Sequence, residues 1–141
     1  MRNAVMKFNQ SGFTLIEVMI AAVILAILTA IALPSYQNQM RTNKRTEAEN
    51  LLLEVASKQQ RFFSDQMTYT NDVTALGYTA PLQTESGAYT LTIALGAGGS
   101  SYTITATATP DQAKDGCGNL TLTNVGQKGK SGSKSLADCW K

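Results

Sequence analysis

Residues 12–33 of this 141-residue chain read GFTLIEVMIAAVILAILTAIAL. The part from Val18 to Leu33 carries no charge, and Glu17 stands directly before it. Such an apolar run is typical of a helix that lies in lipid, where a carboxylate near the bilayer centre costs roughly 2.5–3.5 kcal/mol. An acidic residue at this position therefore predicts that Glu17 has a function.

The residues before Gly12 are basic, because they include Arg2 and Lys7 and no acid. A basic flank keeps that end of a membrane helix in the cytoplasm. The first interpretation is a short leader that is cut off after Gly12, which leaves the whole apolar run attached to the mature chain.

Two other interpretations of the segment stay open. An ordinary secretory signal peptide could be cut at the small-residue pattern Ala30-Ile31-Ala32, although Glu17 would interrupt its apolar core. A plain, uncut anchor is the third, because a helix from Phe13 to Leu33 would be about 31 Å long, close to the thickness of a hydrocarbon core.

A helical pattern continues beyond Pro34. The apolar residues recur at helical spacing with charged residues between them, and this predicts one long helix from about Phe13 to Ser64, kinked at Pro34. The second half should be amphipathic and pack on a sheet. Its apolar residues are Ala48, Leu51, Leu52, Val55, Phe62 and Phe63, and the charged residues between them are Arg45, Glu49, Glu54, Lys58 and Arg61.

The remainder of the chain predicts an antiparallel sheet of three to four strands. Alternating apolar residues mark strands at 89–95 and 102–109, joined by the hairpin loop 96–101, and a third strand at 119–124. A weaker pattern at Leu136–Trp140 predicts a short fourth strand. The loop 67–87 should be held to the domain by Tyr69, Val73, Leu76 and Tyr78.

Composition limits the chemistry. The chain has no His and two cysteines, Cys117 and Cys139, which in an exported domain predict one disulfide. No catalytic group, metal site or cofactor site is predicted, because the many Ser and Thr residues have no base to activate them. The net charge of +2 comes from Arg2 and Lys7, so the rest of the chain is balanced.

The whole chain resembles a type IV pilin, and most closely the minor pilins of the PilE and ComP kind. The leader, the GFTLIE junction and the apolar helix carry the class. Further resemblance lies in Thr68-Tyr69, Leu76-Gly77-Tyr78, the strands beginning at Tyr89 and Tyr102, Cys117-Gly118-Asn119-Leu120 and Cys139-Trp140. The resemblance implies an α+β fold, with a long N-terminal helix on an antiparallel sheet and a C-terminal region bounded by the disulfide.

The resemblance also implies residue roles. Gly12 would be the cleavage residue of a prepilin peptidase, Phe13 the methylated N-terminus, and Glu17 the carboxylate that sets the register in the filament. The implied parts are a leader (1–12), a membrane and filament-core helix (13–34) and a globular head (35–141).

These roles imply where the chain is located before and after assembly, and which partners it has. It would sit in the bacterial inner membrane with its N-terminus in the cytoplasm, and the assembly machinery would then pack it with other pilin subunits. The pilus would serve motility or adhesion, and no enzymatic activity is expected.

Two alternatives remain beside a structural minor pilin. One is the pseudopilin of a type II secretion system, which the two cysteines disfavour. The other is a DNA-binding pilin, in which Lys128, Lys130 and Lys134 would contact phosphates. DNA binding is less favoured, because no aromatic residue is interleaved with the lysines and three acids lie in the same region: Asp111, Asp115 and Asp138.

We expect the mature chain to begin at Phe13, because the basic leader and the GFTLIE junction together indicate cleavage after Gly12. N-terminal sequencing or intact mass of the protein extracted from membranes measures this. A mature chain that begins at Leu33 would instead establish an ordinary signal peptide.

Overall fold

The computed structural model describes residues 12–140, so Arg2, Lys7 and the rest of the predicted leader before Gly12 lie outside the described residues. The main elements are helix α1 (Leu15–Gln66), strands β1 (Tyr89–Leu95), β2 (Tyr102–Ala108), β3 (Leu120–Thr123) and β4 (Lys128–Lys130), and the one-turn helix α2 (Leu136–Cys139). The predicted combination of one long helix and an antiparallel sheet is confirmed. The chain divides into two compact units between Gln37 and Asn38.

The first unit holds the apolar part of α1. Every described residue up to Met40 is exposed, and the segment is long and apolar enough to cross a membrane. Thr29, a polar residue in this run, donates its hydroxyl hydrogen bond to the carbonyl of Leu25 over 2.9 Å, which satisfies it within the helix. The helix continues through Pro34, and the kink there stays a prediction.

The second half of α1 packs on the sheet through the predicted apolar stripe. Ala48, Leu52 and Val55 are completely buried, and Leu51, Phe62 and Phe63 pack against the same core. Full burial of a leucine, valine or phenylalanine side chain contributes roughly 1.5–3 kcal/mol. Two of the charged residues between the apolar ones, Arg45 and Glu49, are buried as well.

The sheet has four antiparallel strands in the order β1-β2-β3-β4. Ile93 pairs with Ile104, and Ile104 pairs with Leu122, so apolar side chains of neighbouring strands lie on the face towards the helix. The core side of the sheet is formed by the buried residues Tyr89, Leu91, Tyr102, Ile104, Ala106, Leu120 and Leu122. The threonines alternate with them on the opposite face, as the period of two requires.

The loop between α1 and β1 is held by a buried amide. Gln59 donates from Nε2 to the carbonyl oxygen of Thr70 and accepts at Oε1 from the Thr70 backbone N–H over 3.2 Å. Tyr69 is buried against Phe63 and Tyr102, with ring centroids 4.6 and 4.7 Å apart. Residues 69, 73, 76 and 78 are all buried or half-buried, which confirms the prediction that they pin the loop.

The fourth strand does not lie where the sequence predicted it. It lies at Lys128–Lys130, whereas Leu136–Cys139 forms α2. Ser135 begins this helical turn because its hydroxyl accepts a hydrogen bond from the Asp138 backbone N–H over 3.1 Å. The sequence Lys128-Gly129-Lys130 lacks the apolar alternation that identified the other strands, and only its pairing with β3 marks it as a strand.

The predicted disulfide between Cys117 and Cys139 is confirmed, with their Cα atoms 5.6 Å apart. In the chain-entropy model, closing a loop of this size stabilises the fold by about 3 kcal/mol. Within the enclosed segment, Gly132 lies close to the backbone at Cys117, because the Gly132 backbone N–H donates to the Cys117 carbonyl over 2.8 Å. A Cβ on Gly132 would lie 2.1 Å from the carbonyl oxygen of Gly116, so only glycine fits there.

Candidate functional site

The start of α1 sets the position of Glu17. The Thr14 hydroxyl accepts a hydrogen bond from the Glu17 backbone N–H over 3.3 Å, which makes Thr14 the cap of the helix and places Glu17 in the first turn. The spacing Thr-x-x-Glu is that of a capping box, a local sequence signal for the start of a helix. Gly12 and Phe13 precede the cap as exposed, non-helical residues.

Glu17 is the only charged residue from Gly12 to Met40. Its side chain is exposed and makes no ion pair with another described residue. A carboxylate at the N-terminus of a helix is stabilised by the helix dipole, typically by 0.3–1 kcal/mol, and this is small against the cost of placing it in an apolar surrounding. A cation from outside the described chain would therefore be its natural partner.

The three lysines predicted as DNA contacts are held in different ways. Lys128 lies with Nζ 5.0 Å from the centroid of the Trp140 ring, and Lys130 donates from Nζ to the Gly132 carbonyl over 2.7 Å. Lys134 Nζ lies 3.6 Å from Asp115 Oδ1. Lys128 is therefore the most available of the three for an external anion.

Trp140 is not a platform for bases. Its ring is buried, and its indole N–H donates to the Gly129 carbonyl over 3.0 Å. The sequence expectation that the lysines lack an accessible aromatic partner therefore holds for Trp140, even though Lys128 packs on its ring.

A buried ionic cluster fixes the region that carries these lysines. Arg45 donates from Nη1 to Asp115 Oδ2 over 2.5 Å and from Nη2 to the Asp138 carbonyl over 3.1 Å, and its Nε lies 3.5 Å from Glu49 Oε1. All three charged side chains are at most 5% exposed. One guanidinium thus joins α1 both to the turn before Cys117 and to the residue before Cys139.

A second polar layer extends the cluster. Gln112 is buried and donates from Nε2 to the Arg41 carbonyl over 2.8 Å and to the Tyr89 hydroxyl over 3.3 Å. Arg41 also reaches Asp111, and hydrogen bonds from Lys114 and Arg41 lower the pKa of the Asp111 carboxyl. This layer carries no sequence signal, because Arg41, Asp111 and Gln112 are of types that are usually exposed.

Two family models match the chain. A model described as "Prokaryotic N-terminal methylation motif" matches residues 7–33, and one described as "Type IV minor pilin ComP, DNA uptake sequence receptor" matches residues 34–121, more than half of the chain. The chain belongs to the type IV pilins. Members of this family are structural subunits rather than enzymes, so the predicted class is confirmed.

Known relatives agree with this assignment. The pilin is 38% identical over 102 residues to fimbrial protein EcpC of Eikenella corrodens, which covers 72% of this chain and 65% of the relative. It is 35% identical over 94 residues to the type IV major pilin protein PilA of Myxococcus xanthus, which covers 65% of this chain and 42% of the relative. The pilin therefore aligns with less than two thirds of the length of both relatives.

A solved structure supports the fold. The type IV pilin of Shewanella oneidensis superposes with a TM-score of 0.50 at 22% identity, covering 62% of this chain and 89% of that chain. This likeness concerns the fold alone.

We expect Arg45→Met to destabilise the pilin by about 3–5 kcal/mol, because it removes the buried guanidinium that pairs with the carboxylates of Glu49 and Asp115. Denaturant unfolding of the full pilin in detergent, followed by circular dichroism, measures this. Arg61→Met is the control, since Arg61 is exposed on the same helix and should change stability by no more than about 0.5 kcal/mol. Equal stability of the two variants would contradict a structural role for the cluster.

Proposed function

We propose that this pilin is a minor subunit of a type IV pilus, cleaved after Gly12 by a prepilin peptidase and methylated on Phe13. The match to the methylation motif at residues 7–33 supports the processing, and the match to a minor-pilin family supports the minor role. The family match also favours a pilus subunit over the pseudopilin of a secretion system.

The apolar segment would hold the pilin in the inner membrane before assembly. The segment is long and apolar enough to span a membrane, and Arg2 and Lys7 precede it without any acid. This charge bias supports a cytoplasmic N-terminus and an exported head. The C-terminal disulfide fits a head that folds outside the cytoplasm.

The proposed assembly depends on the carboxylate of Glu17. Cleavage after Gly12 would create a new ammonium group at Phe13, close in sequence to the single charge of the apolar segment. In a bundle of such helices, the ammonium group of one subunit and Glu17 of a neighbour would neutralise each other where neither is well solvated. Attraction between two charges is strong in such an environment, although both must first lose water. The pair would thereby select one axial register between neighbours.

We expect Glu17→Ala to leave membrane insertion intact and to remove the pilin from filaments. Removing a carboxylate makes the segment more apolar, so a loss must arise in assembly rather than insertion. Immunoblots of membrane fractions and of sheared pili measure both steps, and the same pili give the ratio of this pilin to the major subunit. Gln37→Ala, an exposed position on the same helix, is the control.

Wild-type amounts of the Glu17→Ala variant in sheared pili would contradict the register role. A ratio in which this pilin is the most abundant subunit of the wild-type filament would contradict the minor role.

A second function, capture of DNA, is favoured by one specific observation. The family model that matches residues 34–121 is described as a DNA uptake sequence receptor. The exposed Lys128 at the edge of the sheet is the residue best placed to contact a phosphate. Lys134 is less available, because it forms an ion pair with Asp115. Such contacts release counterions and make affinity depend on salt.

For this second function we expect Lys128→Ala to lower the slope of log affinity against log salt by about one unit, because each phosphate contact contributes roughly 0.9. Lys134→Ala is the matched comparison and should change the slope less, since its charge is already compensated. Fluorescence anisotropy of labelled duplex DNA with the full pilin in detergent measures the slopes. Absence of saturable binding at low salt would exclude the pilin itself as the receptor.

A further inference from the structure

The outer face of the sheet is a lattice of threonines. Nine positions of the four strands point away from the helix, and seven of them are threonine: Thr90, Thr92, Ala94, Thr103, Thr105, Thr107, Thr121, Thr123 and Gly129. None of the nine is charged. We call this set the threonine face.

The threonines form rows across the strands. Thr92 pairs with Thr105, and Thr105 pairs with Thr121, while Thr90 pairs with Thr107 in the neighbouring row. Neighbours in a row are about 4.8 Å apart, and rows repeat about every 6.8 Å along a strand. Gly129 ends the central row, where a Cβ would lie 2.3 Å from the Thr121 hydroxyl oxygen, so the lattice stays open at this edge.

The hydroxyls of this face are largely unused within the described chain. Thr90 Oγ1 accepts from the Gln83 side chain over 3.4 Å, and Thr123 Oγ1 accepts from the Gln127 backbone N–H over 3.1 Å. The hydroxyls of Thr92, Thr105 and Thr121 bond to no other described residue. Each threonine hydroxyl can donate one hydrogen bond and accept two, so these groups are open to a partner.

We propose that the threonine face is a contact between two copies of this pilin. A hydroxyl lattice is complementary to itself, because every group on it is both donor and acceptor. Its lack of charge means that a second copy meets no repulsion there. An anionic partner such as DNA would find no cation on this face.

The shape of the sheet also favours a second copy. Adjacent strands are rotated by roughly 20–25°, so a four-stranded face is twisted and does not match a flat lattice. Two sheets of the same twist pack well face to face, with their strands within about 30° of each other. An identical sheet is therefore a better partner than a planar surface.

The symmetry of this contact separates it from the filament. A face that meets its own copy is isologous, whereas neighbours in a helical filament are related head to tail and use two different surfaces. The threonine face would therefore pair copies outside the filament lattice. This step rests on the proposed function, in which the pilin waits in the membrane before it is assembled.

The size of the face fits a reversible pair. Four strands and about five residues of length give roughly 300 Å² per copy, well below the roughly 800 Å² per partner of a stable complex. Such a contact needs a high effective concentration, which a shared membrane supplies to anchored copies. The pair would then separate readily when a subunit enters the filament.

The test is cross-linking at the centre of the face in cells that produce the full pilin. Thr105 lies in the central row between Thr92 and Thr121, so a contact centred on the face, with its twofold axis in the plane of contact, would bring two copies of position 105 together. The described part of the chain has no free cysteine, since Cys117 and Cys139 are bonded. T105C should therefore give a covalent dimer in membrane fractions on a non-reducing gel.

Two comparisons make this result specific. T79C, at an exposed residue off the sheet, should give several-fold less dimer than T105C. Adding T92K and T107K to T105C should abolish the dimer, because both positions are exposed and each copy would bring like charges to the contact. The added pair T46K and S133K, which places the same charge on exposed residues elsewhere, should leave the dimer intact.

The proposal is overturned if T105C and T79C cross-link equally, or if the lysine pair on the face has no effect. A dimer that appears only in sheared pili and never in membranes would also overturn it, because the contact would then belong to the filament. Failure of the pilin to reach the membrane would count against the proposed function instead, and the membrane fraction distinguishes the two.

Discussion

The structure of the head depends on the contacts that the guanidinium of Arg45 makes. It lies on α1 and reaches Asp115 and the Asp138 carbonyl, which are far away in sequence and stand next to the two bonded cysteines. The disulfide alone ties the C-terminal segment to itself. Arg45 ties both ends of that segment to the helix. Its contacts therefore fix where the exposed lysines of the segment lie relative to the second half of α1.

Buried charges of this kind make a fold specific rather than simply stable. Removing Arg45, Glu49 and Asp115 from water is costly, and an apolar cluster of the same volume would often be as stable or more so. The geometry of three fixed acceptors around one planar donor, however, admits one arrangement of the C-terminal segment. Gln112 extends this restriction to Tyr89 at the start of the sheet.

Much of the fold could be predicted from the sequence, since apolar residues recur with the two-residue period of a strand or the 3.6-residue period of a helix. The alternation in 89–95 and 102–108 and the helical stripe from Ala48 to Phe63 each encode a buried face. The fourth strand could not be predicted, because Lys128-Gly129-Lys130 is held by backbone hydrogen bonds at an edge and buries no apolar stripe. The burial of Arg45 and Glu49 could not be predicted either, since charged residues on an amphipathic helix normally mark its exposed face.

Some of the candidate sites could be predicted from the local sequence, and others needed the strand pairing. The prediction for Glu17 came from a local contradiction, a charge beside an apolar run, which is visible without a structure. The cap by Thr14 was also local and could have been found from its spacing to Glu17. The threonine face needed the register of three strands, because only pairing shows that threonines from distant parts of the chain form rows.

The disulfide has a consequence for proteolysis. The segment that it encloses is rich in exposed serine and lysine, as at Ser133 and Lys134, and exposed segments of this kind are where proteases cut. A single cut there would leave both fragments joined through Cys117 and Cys139, and the Arg45 contacts would still hold each end. The head could thus be nicked in this segment and stay in one piece.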